Sequence, residues 1–251
     1  MSLRNYLDKV RRYFWFSKKE LGGFVLVVLT LGFITSFTKW GGVQFDARVG
    51  VWNWFVAALI FVVVVFVHHA GQRLMGLAVG LRVEHEVWWQ GVIAGVILAL
   101  VSNGRVKFLA ATRAFEHFMP VHRLGAFRYG PNVKVIAKIT MAGPLANVVC
   151  ASVVKYIESA GWISSVIGDQ LFFANVWFAF WNLLPIPPID GSKIMYASRF
   201  QYFSLLFGVL LFAVVAYVVR VYALLVAVIF GPIAALVFAR LAFGENWKEY
   251  L

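Results

Sequence analysis

The sequence predicts an all-α integral membrane protein with six transmembrane helices plus one re-entrant or interfacial segment. Three observations predict it. Of 251 residues, 62% are apolar and only 14% charged, where a soluble domain carries about 25% charged residues; this excludes an ordinary cytosolic enzyme. Seven apolar segments recur along the chain, at 21–37, 51–67, 87–101, 135–157, 171–184, 203–219 and 221–243. The net charge is +12, from 23 Lys and Arg against 11 Asp and Glu. In so apolar a chain that excess fits loops facing anionic lipid on the cytoplasmic side, not a nucleic-acid surface. A single cysteine, Cys150, rules out an intramolecular disulfide and a cysteine-rich metal site.

Residues 1–20 carry Arg4, Lys9, Arg11, Arg12, Lys18 and Lys19 and no small-residue cleavage site after an apolar core, so no cleavable signal peptide is expected. Tyr6, Tyr13, Phe14, Trp15 and Phe16 suit a basic segment lying at the headgroup level; a basic tail that only fixes orientation is the alternative. Segments 203–219 and 221–243 are separated by Arg220 alone. One continuous helix of that length would overshoot a bilayer core of about 30 Å, so a C-terminal hairpin over 203–243, turning at Arg220, is expected. No internal repeat or linker divides the chain, which reads as a single membrane domain over 1–251.

Charge sets the topology. With the amino terminus in the cytoplasm, the first segment runs out and the second returns. Loop 102–134 holds Arg105, Lys107, Arg113, Arg123, Arg128 and Lys134 and should also be cytoplasmic. Segment 87–101 then does not cross; it is short, and Gly91 and Gly95 permit a re-entrant course. Both termini fall inside, in the cell membrane. Lys39, Arg48, Lys155 and Arg220 are left near the outer side.

Three polar motifs interrupt the apolar segments: His68-His69-Ala70-Gly71-Gln72, Ala142-Gly143-Pro144-Leu145-Ala146-Asn147, and Asn182-Leu183-Leu184-Pro185-Ile186-Pro187-Pro188-Ile189-Asp190-Gly191. Together, in this order, they resemble the site-2 protease family of intramembrane zinc metalloproteases, with its HExxH helix, AGPxxN helix and NxxPxPPxDG segment. The resemblance covers about residues 55–195. It implies zinc held by two His at i and i+4 on one helix face and by an Asp, with a Glu beside the first His as general base. His68 matches the first ligand and Asp190 the third. Asn147 and Asn182 match Asn positions that line the family's substrate groove, although hydrogen-bonded glue between helices is the plainer role for both. Pro144 should bend its helix.

The sequence departs from the motif at two positions. His69 stands where the family has its base, and Gln72 where it has the second His; a neutral amide is a weak zinc partner. His69 points about 100° around the helix from His68, so the two cannot readily share an ion. These losses imply a catalytically inactive member whose zinc is weakly held or absent. His85, His117 and His122, the remaining histidines, read as interfacial or loop residues, with a rebuilt metal site as the less favoured reading. The expected function is that of a pseudoprotease binding or scaffolding other membrane proteins or transmembrane peptides within the bilayer, as a free protein or a subunit of a membrane complex, with no nucleic-acid partner. The alternative is an active zinc metalloprotease with a rebuilt site. A small transporter or channel would need repeat-related or charged pore segments, and the sequence has neither.

Overall fold

The computed structural model describes residues 3–42, 44–118, 132–219 and 223–243. His122, Arg123, Arg128 and the turn expected at Arg220 lie outside them. The described chain divides into two compact units, Met1–His117 and Phe118–Leu251.

Unit 1 begins with α1 (Leu3–Tyr13), α2 (Lys18–Ser36) and α3 (Ala47–Val79). Ser17 starts α2 through a capping box: its hydroxyl accepts from the Glu20 N–H, and the Glu20 carboxylate accepts from the Ser17 N–H. The expected basic segment 1–20 is thus split, with α1 ending before Ser17 and Lys18, Lys19 and Glu20 already inside α2. Asp46 caps α3 by accepting from the Arg48 and Val49 N–H groups. Gly80 ends it in the left-handed conformation (φ 90°) that favours glycine. That turn feeds β1 (Leu81–Val87), which is followed by α4 (Trp89–Val101) and by β2 (Thr112–Phe118), paired with β1. Along β1 the side chains of Leu81, Val83 and His85 are buried, the two-residue alternation of a strand covered on one face.

Unit 2 holds α5 (Val133–Ser159), α6 (Ser165–Asn182), α7 (Asp190–Ala197), α8 (Arg199–Val219) and α9 (Ala223–Phe243). Pro144 lies inside α5, where its ring nitrogen has no hydrogen to give to the helix ladder. Phe172, Val176, Leu183, Ile194, Val209 and Phe212 belong to one buried apolar cluster. The two final helices approach closely: a Cβ added at Gly231 would lie 2.9 Å from Gly208 Cα, the kind of small-residue contact by which helices pack in membranes.

Among the described residues five helices are long and apolar enough to cross a membrane, namely α2, α3, α5, and the stretches Arg199–Ala216 of α8 and Leu225–Ala242 of α9, as befits a multi-pass membrane protein. The sixth expected crossing, 171–184, falls in α6, which is not among the five; Asp169, Gln170, Asn175 and Asn182 lower its hydropathy. Segment 87–101 forms the 13-residue α4, about 20 Å long at 1.5 Å per residue and shorter than a bilayer core of about 30 Å. The fold is mostly helical, with the β1–β2 pair as its departure from an all-α protein.

Candidate functional site

The residues that set this chain apart from the resembled motif lie in the last third of α3. Their spacing stacks them one turn apart: His68 and Gln72 face the same side, and their side chains meet, Gln72 Nε2 lying 3.3 Å from His68 Nε2. The structure adds a residue that sequence reasoning assigned to a loop. His85 is buried on β1, and its Nε2 is 2.8 Å from Gln72 Oε1. With the amide in this orientation, His85 donates to the Gln72 oxygen and the Gln72 nitrogen donates to His68. One side-chain amide therefore bridges two imidazoles.

His69 points elsewhere, as its place on the helix requires. Its ring stacks on His85, centroids 3.7 Å apart and planes 15° from parallel, with Phe16 and Phe24 at its edges. Its Nε2 reaches Thr112 Oγ1 of β2 only at the outer limit of a hydrogen bond, 3.5 Å, and its buried Nδ1 has no hydrogen-bond partner among the described residues.

One residue further on, Arg73 is almost fully buried. It pairs with Glu20 and donates through Nη1 to the carbonyl oxygens of Phe14 (2.7 Å) and Trp15 (3.1 Å). Its guanidinium also lies 4.2 Å from the Phe16 ring centroid. Glu20 Oε1 accepts in addition from the His85 N–H, at 3.1 Å. The buried charges are thus paired and hydrogen-bonded, as a low-dielectric interior demands. Arg73, Glu20 and Thr112 were missed from sequence. Two signals could have found this network: Ser17-Lys18-Lys19-Glu20 is a capping-box pattern, and the alternation Leu81, Val83, His85, Val87 marks a strand with His85 on its buried face.

At the rim of the same unit, Glu86 accepts from Lys19 Nζ (2.9 Å) and Arg113 Nη2 (3.2 Å). The Lys19 hydrogen bond, followed by that from Arg113, holds the Glu86 carboxyl below the ordinary carboxylate range. His117, another of the loop histidines, is half exposed at 3.8 Å from Glu84.

In unit 2, Asp190 opens α7 and is buried. Gly191 follows because nothing larger fits: a Cβ there would run into the backbone of Leu183 and Leu184. Asn147 donates to Asn175 Oδ1 at 2.9 Å, tying α5 to α6. Asn182 donates to the Phe178 carbonyl of its own helix at 2.8 Å. The structure therefore brings Asn147 together with Asn175, and each of the two expected groove residues makes a helix-stabilising bond.

As arranged, the polar side chains of α3 and β1 do not fit a zinc ion. Tetrahedral zinc takes converging imidazole, thiolate or carboxylate lone pairs. Here an amide is inserted between His68 and His85, and the lone pairs of the stacked His69 and His85 rings run in nearly parallel planes. Among the described residues no three His, Cys, Asp or Glu side chains are grouped so as to hold a metal.

Comparison with known proteins gives the class to which this arrangement belongs. Over 186 residues, 72% of this chain and 86% of the relative, the sequence is 30% identical to a protein of Methanocaldococcus jannaschii described as "Putative zinc metalloprotease". The chain belongs to that metalloprotease-like family. No family model matches it, and no solved structure does.

Proposed function

We propose that this protein is a site-2-protease-like pseudoprotease, which binds transmembrane segments of other membrane proteins without cutting them. The single observation that carries the reading is the Gln72 amide lying between His68 and His85. Hydrolysis on zinc needs a ligand set with an open position and a base poised beside it. The amide takes up the His68 lone pair, and the residue at the base position, His69, is stacked on the His85 ring. Kinship to a relative named for zinc proteolysis supports descent from a protease. In this reading Asn147 and Asn182 remain as groove residues, the core spans about 55–195, and both termini are cytoplasmic in the cell membrane.

The test is zinc per chain in protein purified without added metal, alongside cleavage of a generic transmembrane substrate. Zinc well below one per chain and no cleavage are expected. One tightly held zinc per chain, coupled to proteolysis, would overturn the reading.

One observation favours the second reading, an active zinc metalloprotease with a rebuilt site: His85 is buried and held against Gln72. That reading requires His85→Ala to lose both zinc and cleavage.

A further inference from the structure

Two sets of contacts within unit 1 fix the course of residues 88–111. The first runs along α2. A Cβ at Gly23, near the start of α2, would touch Val87 Cγ2 at 3.0 Å; the Cβ of a residue at 95 would lie 2.8 Å from Ile34 Cδ1; and one at 104 would lie 3.0 Å from Phe37 Cδ1, beyond the last residue of α2. The partners rise together in number, so α4 runs alongside α2 and in the same direction. The second set runs back along α4. The Phe108 carbonyl lies 2.9 Å from where a Cβ of residue 95 would stand, the Ala110 carbonyl lies against Gly91, and the Trp88 N–H donates to the Ala111 carbonyl at 2.8 Å. Here one number falls as the other rises, so the chain returns antiparallel to α4 and enters β2 beside β1.

The lengths agree. Gly23 to Thr38 is about 22 Å at helical rise, and the 13 residues of α4 give about 20 Å. Gly104 to Ala111 gives about 23 Å in extended form. The reversal is made by Asn103 and Gly104, both in the left-handed region (φ 51° and 73°).

Burial follows the same division. Extended backbone is tolerated at membrane depth only where protein covers it, and Phe108, Leu109, Ala110 and Ala111 are all buried. Gly91 and Gly95 give them the space to lie against α4. The opposite stripe of α4, Trp89, Ile93, Ile97 and Leu100, is more than half exposed and follows the three- and four-residue spacing of one helix face.

We infer that residues 88–111 are a hairpin that reaches through the membrane and returns, helix in and extended chain out, whose outer stripe contacts lipid acyl chains and whose tip, Asn103–Lys107, surfaces at the same membrane face as the loop between α2 and α3. The occupant of the stripe is lipid because the stripe is apolar throughout and lies alongside α2, itself long and apolar enough to span. The tip is set at the α2–α3 end by Gly104, where an added Cβ would lie 2.5 Å from Thr38 Cγ2, just beyond the last residue of α2. The loop expected to be wholly cytoplasmic, 102–134, is thereby divided, with Arg105 and Lys107 on one face and β2 on the other.

Single cysteines in a Cys150→Ala background test this, using an impermeant maleimide on sealed membranes of each orientation. Lys39→Cys and Glu84→Cys report the two faces. Arg105→Cys and Val106→Cys, both at exposed positions, should label with Lys39→Cys and be lost from the face that labels Glu84→Cys. Labelling of the tip with Glu84→Cys, protection of the tip from both faces, or labelling of Lys39→Cys and Glu84→Cys from one face would each overturn the hairpin. A nitroxide at Ile97→Cys should collide with oxygen dissolved in lipid and not with a polar relaxation agent; the reverse would overturn the acyl-chain contact. The labelling reads topology alone, so it is independent of whether the chain holds metal.

Discussion

Unit 1 gathers most of its buried polar side chains into one connected network, from Arg73 through Glu20 to the His85 backbone and from the His85 ring through Gln72 to His68. Unit 2 distributes its own in small separate sets: Asn147 with Asn175, Asn182 with the Phe178 carbonyl, and Lys155 with Glu158 and Asp169. The difference concerns what a single loss does. In a connected, desolvated network, removing one member strands its neighbours, whereas a local pair loses only itself. Unit 1 keeps its network at the position where the resembled family keeps its chemistry, and unit 2 uses its polar groups as ties between and within helices.

The largest break in that contrast should come from Arg73→Met. It leaves the Glu20 carboxylate buried without its cation and frees the Phe14 and Trp15 carbonyls, so about 3–5 kcal/mol should be lost. Denaturant melts in detergent would measure this, with new protease cleavage between α1 and α2 as the local sign. Gln72→Leu should follow at about 1–3 kcal/mol, because it takes the amide from two buried imidazoles at once. Its counterpart in unit 2, Asn175→Leu, should cost only about 1 kcal/mol, the usual scale of an interhelical hydrogen bond in a membrane protein. Equal losses for those two variants, in the same melt, would erase the distinction between network and pair.

The smallest effect is expected at the rim. The folded Glu86 carboxyl titrates below its unfolded value, chiefly because Lys19 bonds it. Its contribution to stability is therefore complete above about pH 4.3, the unfolded value, and is lost as pH falls through the depressed folded value. Glu86→Gln should flatten the acid limb of the melting curve of the parent slightly and leave the neutral-pH midpoint nearly unchanged; an unchanged acid limb would remove Glu86 from the account.

Much of the fold was legible because hydropathy reports what lipid contacts. The apolar runs at 21–37, 135–157, 203–219 and 221–243 each coincide with a helix long enough to span. The apolar run 51–67 stops twelve residues short of the end of α3, because His68, His69, Gln72 and Arg73 look like a helix end until β1, Phe14–Phe16 and Glu20 are known to pack on them. The same blindness hid His85. A polar strand residue reads as a loop unless its period-two neighbours, Leu81 and Val83, are weighed with it. The amide bridge itself depends on pairing residue 72 with 85, and no local pattern reports that. The departures at 69 and 72 were legible as substitutions; what replaces the motif, a hydrogen-bonded network, was not.

The most direct test of the central claim, that Gln72 and His69 are what separate this chain from a zinc protease, is zinc content after repair. His69→Glu with Gln72→His restores the set implied by the family resemblance: imidazoles at 68 and 72 on one helix face, Asp190, and a carboxylate at 69. Measured per folded chain after purification without added metal, zinc should rise from well below one in the parent toward one in the double variant, with Gln72→His alone giving part of the gain and His69→Glu alone little. A parent already holding one zinc, or a folded double variant holding no more than its parent, would contradict the account.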